Sequence, residues 1–161
     1  MLEKLARLCA FAAALLLLFI IVVTSGSIVG RETVGRTLTG DFELVGLATG
    51  AVVGLFMPLA QLRRSNIVVD FFTARMPPRI NAVLDRFGAL LLALTFALLA
   101  WRAALGGLSS YQANSSSMLL GVPEWWAYAP MVPGFGLTAV IGLKQALFGF
   151  DQPAHHSGEA A

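Results

Sequence analysis

Four apolar runs with almost no charge occupy most of the chain: Leu8 to Gly30, Leu44 to Leu62, Phe87 to Leu105 interrupted by Arg102 alone, and Trp125 to Leu143. A bilayer's hydrocarbon core of roughly 30 Å takes about 20 helical residues to cross, and a helix in a soluble core seldom stays uncharged on every face for that length. In lipid each spanning segment must satisfy its own backbone N–H and C=O groups, so all four runs read as transmembrane helices. The composition agrees, with 57% hydrophobic and only 12% charged residues and a mean hydropathy of +0.77. The expected fold is therefore an all-α integral membrane protein. Residues 1–150 form one domain with spans at about 8–29, 42–62, 86–106 and 125–147, and the polar residues 151–161 read as a disordered tail.

The net charge of +2 is too small to suggest a nucleic-acid partner, and the placement of the basic residues matters more than their number. Lys4 and Arg7 precede the first run, while Arg63, Arg64, Arg75, Arg79 and Arg86 crowd the segment between the second and third, and Lys144 closes the fourth. The connection after the first run sets Arg31 and Arg36 against Glu32, Asp41 and Glu43 and is net acidic. Basic residues stay on the cytoplasmic side, so both termini are expected there. Ser25-Gly26-Ser27 would suit a signal-peptide cleavage site, but the apolar run before it exceeds the usual 7 to 15 residues of such a leader, and a retained first span is expected.

Familiar chemistries lack their residues. Cys9 is the only cysteine, which excludes an internal disulfide or a dithiol relay. His155 and His156 both fall in the tail, so the spans have no axial ligands for haem. No metal-ligand cluster, nucleophile–base set or glycine-rich phosphate loop is present, and neither an enzyme nor a bound cofactor is expected. A self-sufficient carrier would also need acids, histidines or broken helices at midplane, and the midplane here is empty of charge.

The features that remain concern packing and interfaces. Gly46, Gly50 and Gly54 recur every fourth residue along one face of the second span, a smooth groove suited to close helix approach. The occupant of that groove is either another span of this chain or a different subunit. Asp41 and Glu43 read as first-turn carboxylates that complement the helix dipole. Asn66 and Asp70 share the polar face of a short interfacial segment between spans two and three, with Ile67, Val68, Phe71 and Phe72 dipping into the membrane. Gly, Ser and Thr between Thr24 and Gly40 suggest a loop, as do the serines between Gly106 and Val122. Pro130 and Pro133 with Gly134 and Gly136 predict an irregular outer half of the last span. Arg102, sixteen residues or about 24 Å past Arg86, is placed near the outer headgroups, free to snorkel or to pair with Asp41, Glu43 or Glu124. An alternative function follows from it: a self-associating channel or carrier with Arg102 on an anion path.

The order of these features resembles the small membrane subunit of tripartite ATP-independent periplasmic (TRAP) transporters, the DctQ-like family. The resemblance rests on the Arg-rich inner connection with Asn66-Ile67-Val68-Val69-Asp70, on Met76-Pro77-Pro78, and on Leu120-Gly121-Val122-Pro123-Glu124-Trp125 opening the last span. The family usually has histidine where this chain has Asn66. The resemblance implies an accessory subunit in the bacterial inner membrane, beside a large membrane subunit that carries cation-coupled symport and a periplasmic substrate-binding protein that delivers an organic acid. It also implies that Asn66 and Asp70 shape the inner interfacial segment and that Pro123 and Trp125 set the outer end of the last span, with no catalytic residue anywhere.

Overall fold

The computed structural model describes residues 2–35, 40–63 and 78–148. They form four helices: α1 (Leu2–Val34), α2 (Asp41–Leu62), α3 (Pro78–Gln112) and α4 (Trp125–Phe148). All four are long and apolar enough to cross a membrane, and the described residues contain no strand beyond one isolated bridge. The fold is all-α. The polar tail and the segment with Asn66 and Asp70 lie outside the described residues.

Two helices exceed expectation. α1 continues through Thr24, Ser25, Gly26 and Ser27 to Val34, and α3 runs through Gly106, Gly107 and the Ser109-Ser110 pair to Gln112. α4 is helical throughout, Pro130 and Pro133 included. The signals that predicted loops are helix breakers in water, where an opened backbone finds other partners. In hydrocarbon each freed backbone group costs several kcal/mol, roughly, far above the ~1 kcal/mol propensity penalty of a glycine. Two hydroxyls on these helices are satisfied locally: Thr33 donates to the Val29 carbonyl at 2.7 Å and Thr95 to that of Leu91 at 2.9 Å. Pro130 falls only a turn and a half into α4, where the opening bonds already step to shorter partners, Trp126 N–H to Pro123 and Ala127 N–H to Glu124.

The helices pack as an open row rather than a closed square. α1 lies against α2, α2 against α4 and α4 against α3, with α1 only grazing α4. Direction alternates along the chain, so α2 and α4 run parallel in the middle while α1 and α3, at the edges, run antiparallel to both of them. The 33 and 35 residues of α1 and α3 measure about 50 Å each, against about 35 Å for the inner pair, so the edge helices overhang.

Contacts within the row are made through small residues. α1 buries Ala6, Ala10, Ala13, Ile20 and Ser27, and α3 buries Ala89, Ala93 and Ala103, both at the alternating three and four spacing of a helix seam. Ile20 joins Ala48 and Val52 of α2 in one cluster, flanked by Leu16, Val45 and Phe56. The tightest crossing is between α2 and α4, where a Cβ on Gly134 would lie 2.2 Å from the Gly54 carbonyl oxygen. Only paired glycines permit two backbones to come so near. Gly142 seats against Ala89 and Ala93, and Phe96 meets Phe135 with ring centroids 5.8 Å apart.

Polar groups buried in the row are mostly consumed within it. Thr138 donates to the Gly134 carbonyl at 2.8 Å. Gln61 donates to the side-chain oxygen of Gln145 at 2.8 Å, and Gln145 donates to the Gln61 backbone carbonyl at 3.1 Å, which ties α2 to α4 near their C-terminal ends. The Thr24 hydroxyl is the exception among the described residues, buried without a partner.

Candidate interaction surface at the loop end

The end of the row where α2 and α4 begin is built around the connection Ala113–Glu124. This connection folds back on itself. Ser117 N–H donates to the Val122 carbonyl at 2.9 Å, Glu124 N–H to that of Ser115 at 3.1 Å, and Gly121 N–H to that of Ser117 at 3.1 Å. Pro123 is half-buried and bridges to Ser116.

Glu43, in the first turn of α2, holds this connection down. Its carboxylate accepts the backbone N–H of Leu119 at 3.1 Å and of Leu120 at 3.2 Å. A charged acceptor is the strongest available partner for two amides that a tight turn leaves unpaired. Beside it, the Leu120 side chain packs onto Gly40, where φ is +90° and a Cβ would stand 2.5 Å from Leu120 Cγ. No other residue suits that position, since both the backbone angle and the space forbid a side chain. Asp41 accepts from the buried Ser27 hydroxyl at 2.6 Å and so joins α1 to the same assembly.

Removing the Glu43 carboxylate should therefore release the connection without unfolding the helices. Glu43→Ala is expected to speed amide exchange at Leu119 and Leu120 by at least about tenfold, while exchange in the middle of α2 stays as in the parent. Unchanged protection at those two amides in a hydrogen–deuterium measurement would show that Glu43 does not restrain the loop.

Aromatic rings band this end. Trp125 meets Tyr111 of α3 edge-on at 5.9 Å and its neighbour Trp126 at 6.1 Å. Tyr128 lies across Gly106 and Gly107, its Cβ 2.9 Å from where a Gly107 Cβ would be. A shallow apolar groove of about 180 Å³ runs between α3 and α4 here, lined among others by Ala103, Gly107, Trp125 and Val132. Amphipathic rings of this kind settle at the headgroup level of a bilayer.

The structure separates the residues singled out from the sequence. Gly54 is buried against α4, Gly50 faces Met131 with the sulfur 3.3 Å from its Cβ position, and Gly46 has open space around it. Two of the three glycines thus serve a contact inside the chain. Pro123 and Trp125 come together at the loop end. Arg102 stands apart, exposed on α3 with no ion pair among the described residues. The acids that might have met it are engaged elsewhere: Asp41 with Ser27, Glu43 with Leu119 and Leu120, and Glu124 with the Ser110 hydroxyl at 3.4 Å.

Several contributors escaped the sequence reading. Glu43 looked like a dipole complement, and its partners lie 76 residues away. Gly134 looked like a source of irregularity, whereas it is the counterpart of Gly54. The alanine seams of α1 and α3 were legible in principle, since Ala6, Ala10 and Ala13 or Ala89, Ala93 and Ala103 follow helical spacing as plainly as the glycines do.

No curated protein and no solved structure matches the chain. A family model does: that of the tripartite ATP-independent periplasmic transporters, DctQ component, over residues 20–151. That stretch takes in all or part of every helix and the whole loop-end assembly. A row of four membrane-length helices joined through small residues, matched over most of its length by this model, belongs to the DctQ family and is a multi-pass inner-membrane component of a TRAP transporter.

Proposed function

We infer that this subunit is a stationary scaffold: it enlarges and steadies a large membrane subunit that moves an organic acid coupled to cations, while a periplasmic binding protein delivers the cargo to the loop end. In this reading both termini and the arginine-rich connection face the cytoplasm, as the distribution of basic residues favours. The single observation that carries it is that, among the described residues, the row buries no charged side chain and leaves only the lone Thr24 hydroxyl without a partner. Ser27, Gln61 and Thr138 are buried but spend their groups on Asp41, Gln145 and Gly134. A carrier needs buried groups left over for its cargo. The row also presents two long edge helices covered in large apolar side chains, such as Leu8, Phe11 and Leu18 on α1 and Leu91, Leu94 and Leu98 on α3, the surface of a chain built to sit against lipid and other helices.

Reconstitution tests the reading directly. In liposomes carrying a sodium gradient, the purified chain alone is expected to give no organic-acid uptake above leak. The same liposomes with the large subunit and binding protein added are expected to give saturable uptake. Saturable, gradient-driven uptake by this chain alone would overturn the scaffold role.

A further inference from the structure

We propose that the turn Met118–Leu120 is a lipid anchor: held in shape by Glu43, it lies at the boundary between headgroups and acyl chains at the loop end, with the Met118 and Leu119 side chains among the lipids. This holds whatever part the subunit takes in transport, since it concerns how the loop end meets the bilayer.

Depth is the first argument. The hydrogen bond from Ser27 to Asp41 sets the start of α2 level with Ser27 of α1, and the first charges of α1 beyond that level, Arg31 and Glu32, begin four residues or about 6 Å farther out. Exposed Ile28 and Val29 fill the interval. On the inner side, Gly134 stands opposite Gly54, yet Gly134 comes nine residues after Trp125 and Gly54 thirteen after Asp41, so α4 starts about 6 Å deeper than α2. The Trp125 ring, set against Tyr111, marks the aromatic layer there. Glu43 and Gly40, which hold Leu119 and Leu120, belong to the start of α2 and lie between these two marks. The turn is thus fixed at the interface and not raised into water.

Composition is the second. Gln112, Asn114 and Ser115 to Ser117 make the approach polar, but the tip itself is Met118-Leu119-Leu120. Met118 is 98% exposed, and Leu119 and the neighbouring level's Phe42 are exposed as well. A tip standing in water would carry the polar residues that here only flank it. No charged residue occurs between Arg102 and Glu124, so the connection offers a soluble partner nothing to steer by, whereas insertion among lipids requires no charge.

The backbone is the third. The Ser117 N–H donates to the Val122 carbonyl, those of Leu119 and Leu120 to Glu43, that of Gly121 to the Ser117 carbonyl and that of Val122 to the Ser117 hydroxyl. A loop bathed in water can leave its amides to water. Acyl chains offer no acceptor, so a turn that enters them must satisfy its donors from within, as this one does. Glu43 is therefore a positioning residue: it supplies the acceptor that lipid lacks and orders the turn in advance, which removes most of the entropic cost of insertion.

The test uses this chain assembled with the large subunit in phosphatidylcholine vesicles, with Cys9→Ser so that one introduced cysteine carries bimane. At Met118→Cys, and separately at Leu119→Cys, lipids brominated on their acyl chains should lower bimane emission by at least about twofold. Aqueous iodide should quench it at least about threefold less than at Thr33→Cys, which lies beyond Arg31 and Glu32. Adding Glu43→Ala should bring iodide quenching at Met118→Cys to within about twofold of that at Thr33→Cys. Iodide quenching at both tip positions equal to that at Thr33→Cys, the mark of a tip in water, would overturn the anchor. So would indifference to both quenchers, the mark of a tip covered by protein. A tip that stays shielded from iodide in Glu43→Ala would overturn the part given to Glu43.

Discussion

Gly134→Ala is expected to destabilise the folded chain by about 3 kcal/mol, the upper end of what overpacking costs. The new Cβ would fall 2.2 Å from the Gly54 carbonyl oxygen and 2.6 Å from its carbon, inside any allowed contact distance. Backbone cannot rotate away as a side-chain tip can, so α2 and α4 must separate. Separation loosens the middle of the row, since Gly54 also meets Met131 and Gly142 seats on α3. In hydrocarbon no solvent-driven term compensates for lost van der Waals contact. Gly136→Ala is the internal control: nothing lies within 4 Å of its Cβ position, and alanine there should be neutral or stabilise by about 0.5 kcal/mol through helix propensity. Equal unfolding midpoints for the two variants in mixed detergent micelles would mean that the α2–α4 crossing is looser than the structure has it.

The second large effect belongs to the amide pair. Gln145→Leu removes both hydrogen bonds that join Gln145 to Gln61 and should cost about 1–2 kcal/mol, within the range for buried polar pairs in membrane proteins. Much of that cost comes from the Gln61 side-chain N–H, which loses its acceptor on Gln145. Replacing both glutamines by leucine should therefore cost less than the two single changes summed, with a coupling of about 1 kcal/mol in a double-mutant cycle. Strict additivity would show that the two amides do not interact.

The sequence carried the membrane class, the number of spans and their alternation, because an uncharged run of membrane length has few other uses. It went wrong where rules learned in water were applied within lipid. Residues 30–34 and 107–112 lie beyond the expected spans of 8–29 and 86–106 and look like loop, yet both stretches are helical. The glycine stripe was read correctly as a surface for close contact, but one helix's spacing says nothing of what fills the groove. Gly54 opposite Gly134 and Glu43 opposite Leu119 are pairings across some 80 residues of chain, and no local pattern encodes them.

Hydrophobic length set the class of four-span membrane protein, and the DctQ type that the order of motifs resembled is borne out by the family model over residues 20–151. Those properties depend on transfer of single segments from water to lipid, a sum over residues that sequence contains in full. Tertiary structure alone decided that the helices form an open row with α2 and α4 at its centre, that Glu43 anchors the loop, and that Arg102 is exposed with no ion pair among the described residues. Those outcomes depend on which small residues of different helices meet, and contact between distant segments is a property of the assembled chain.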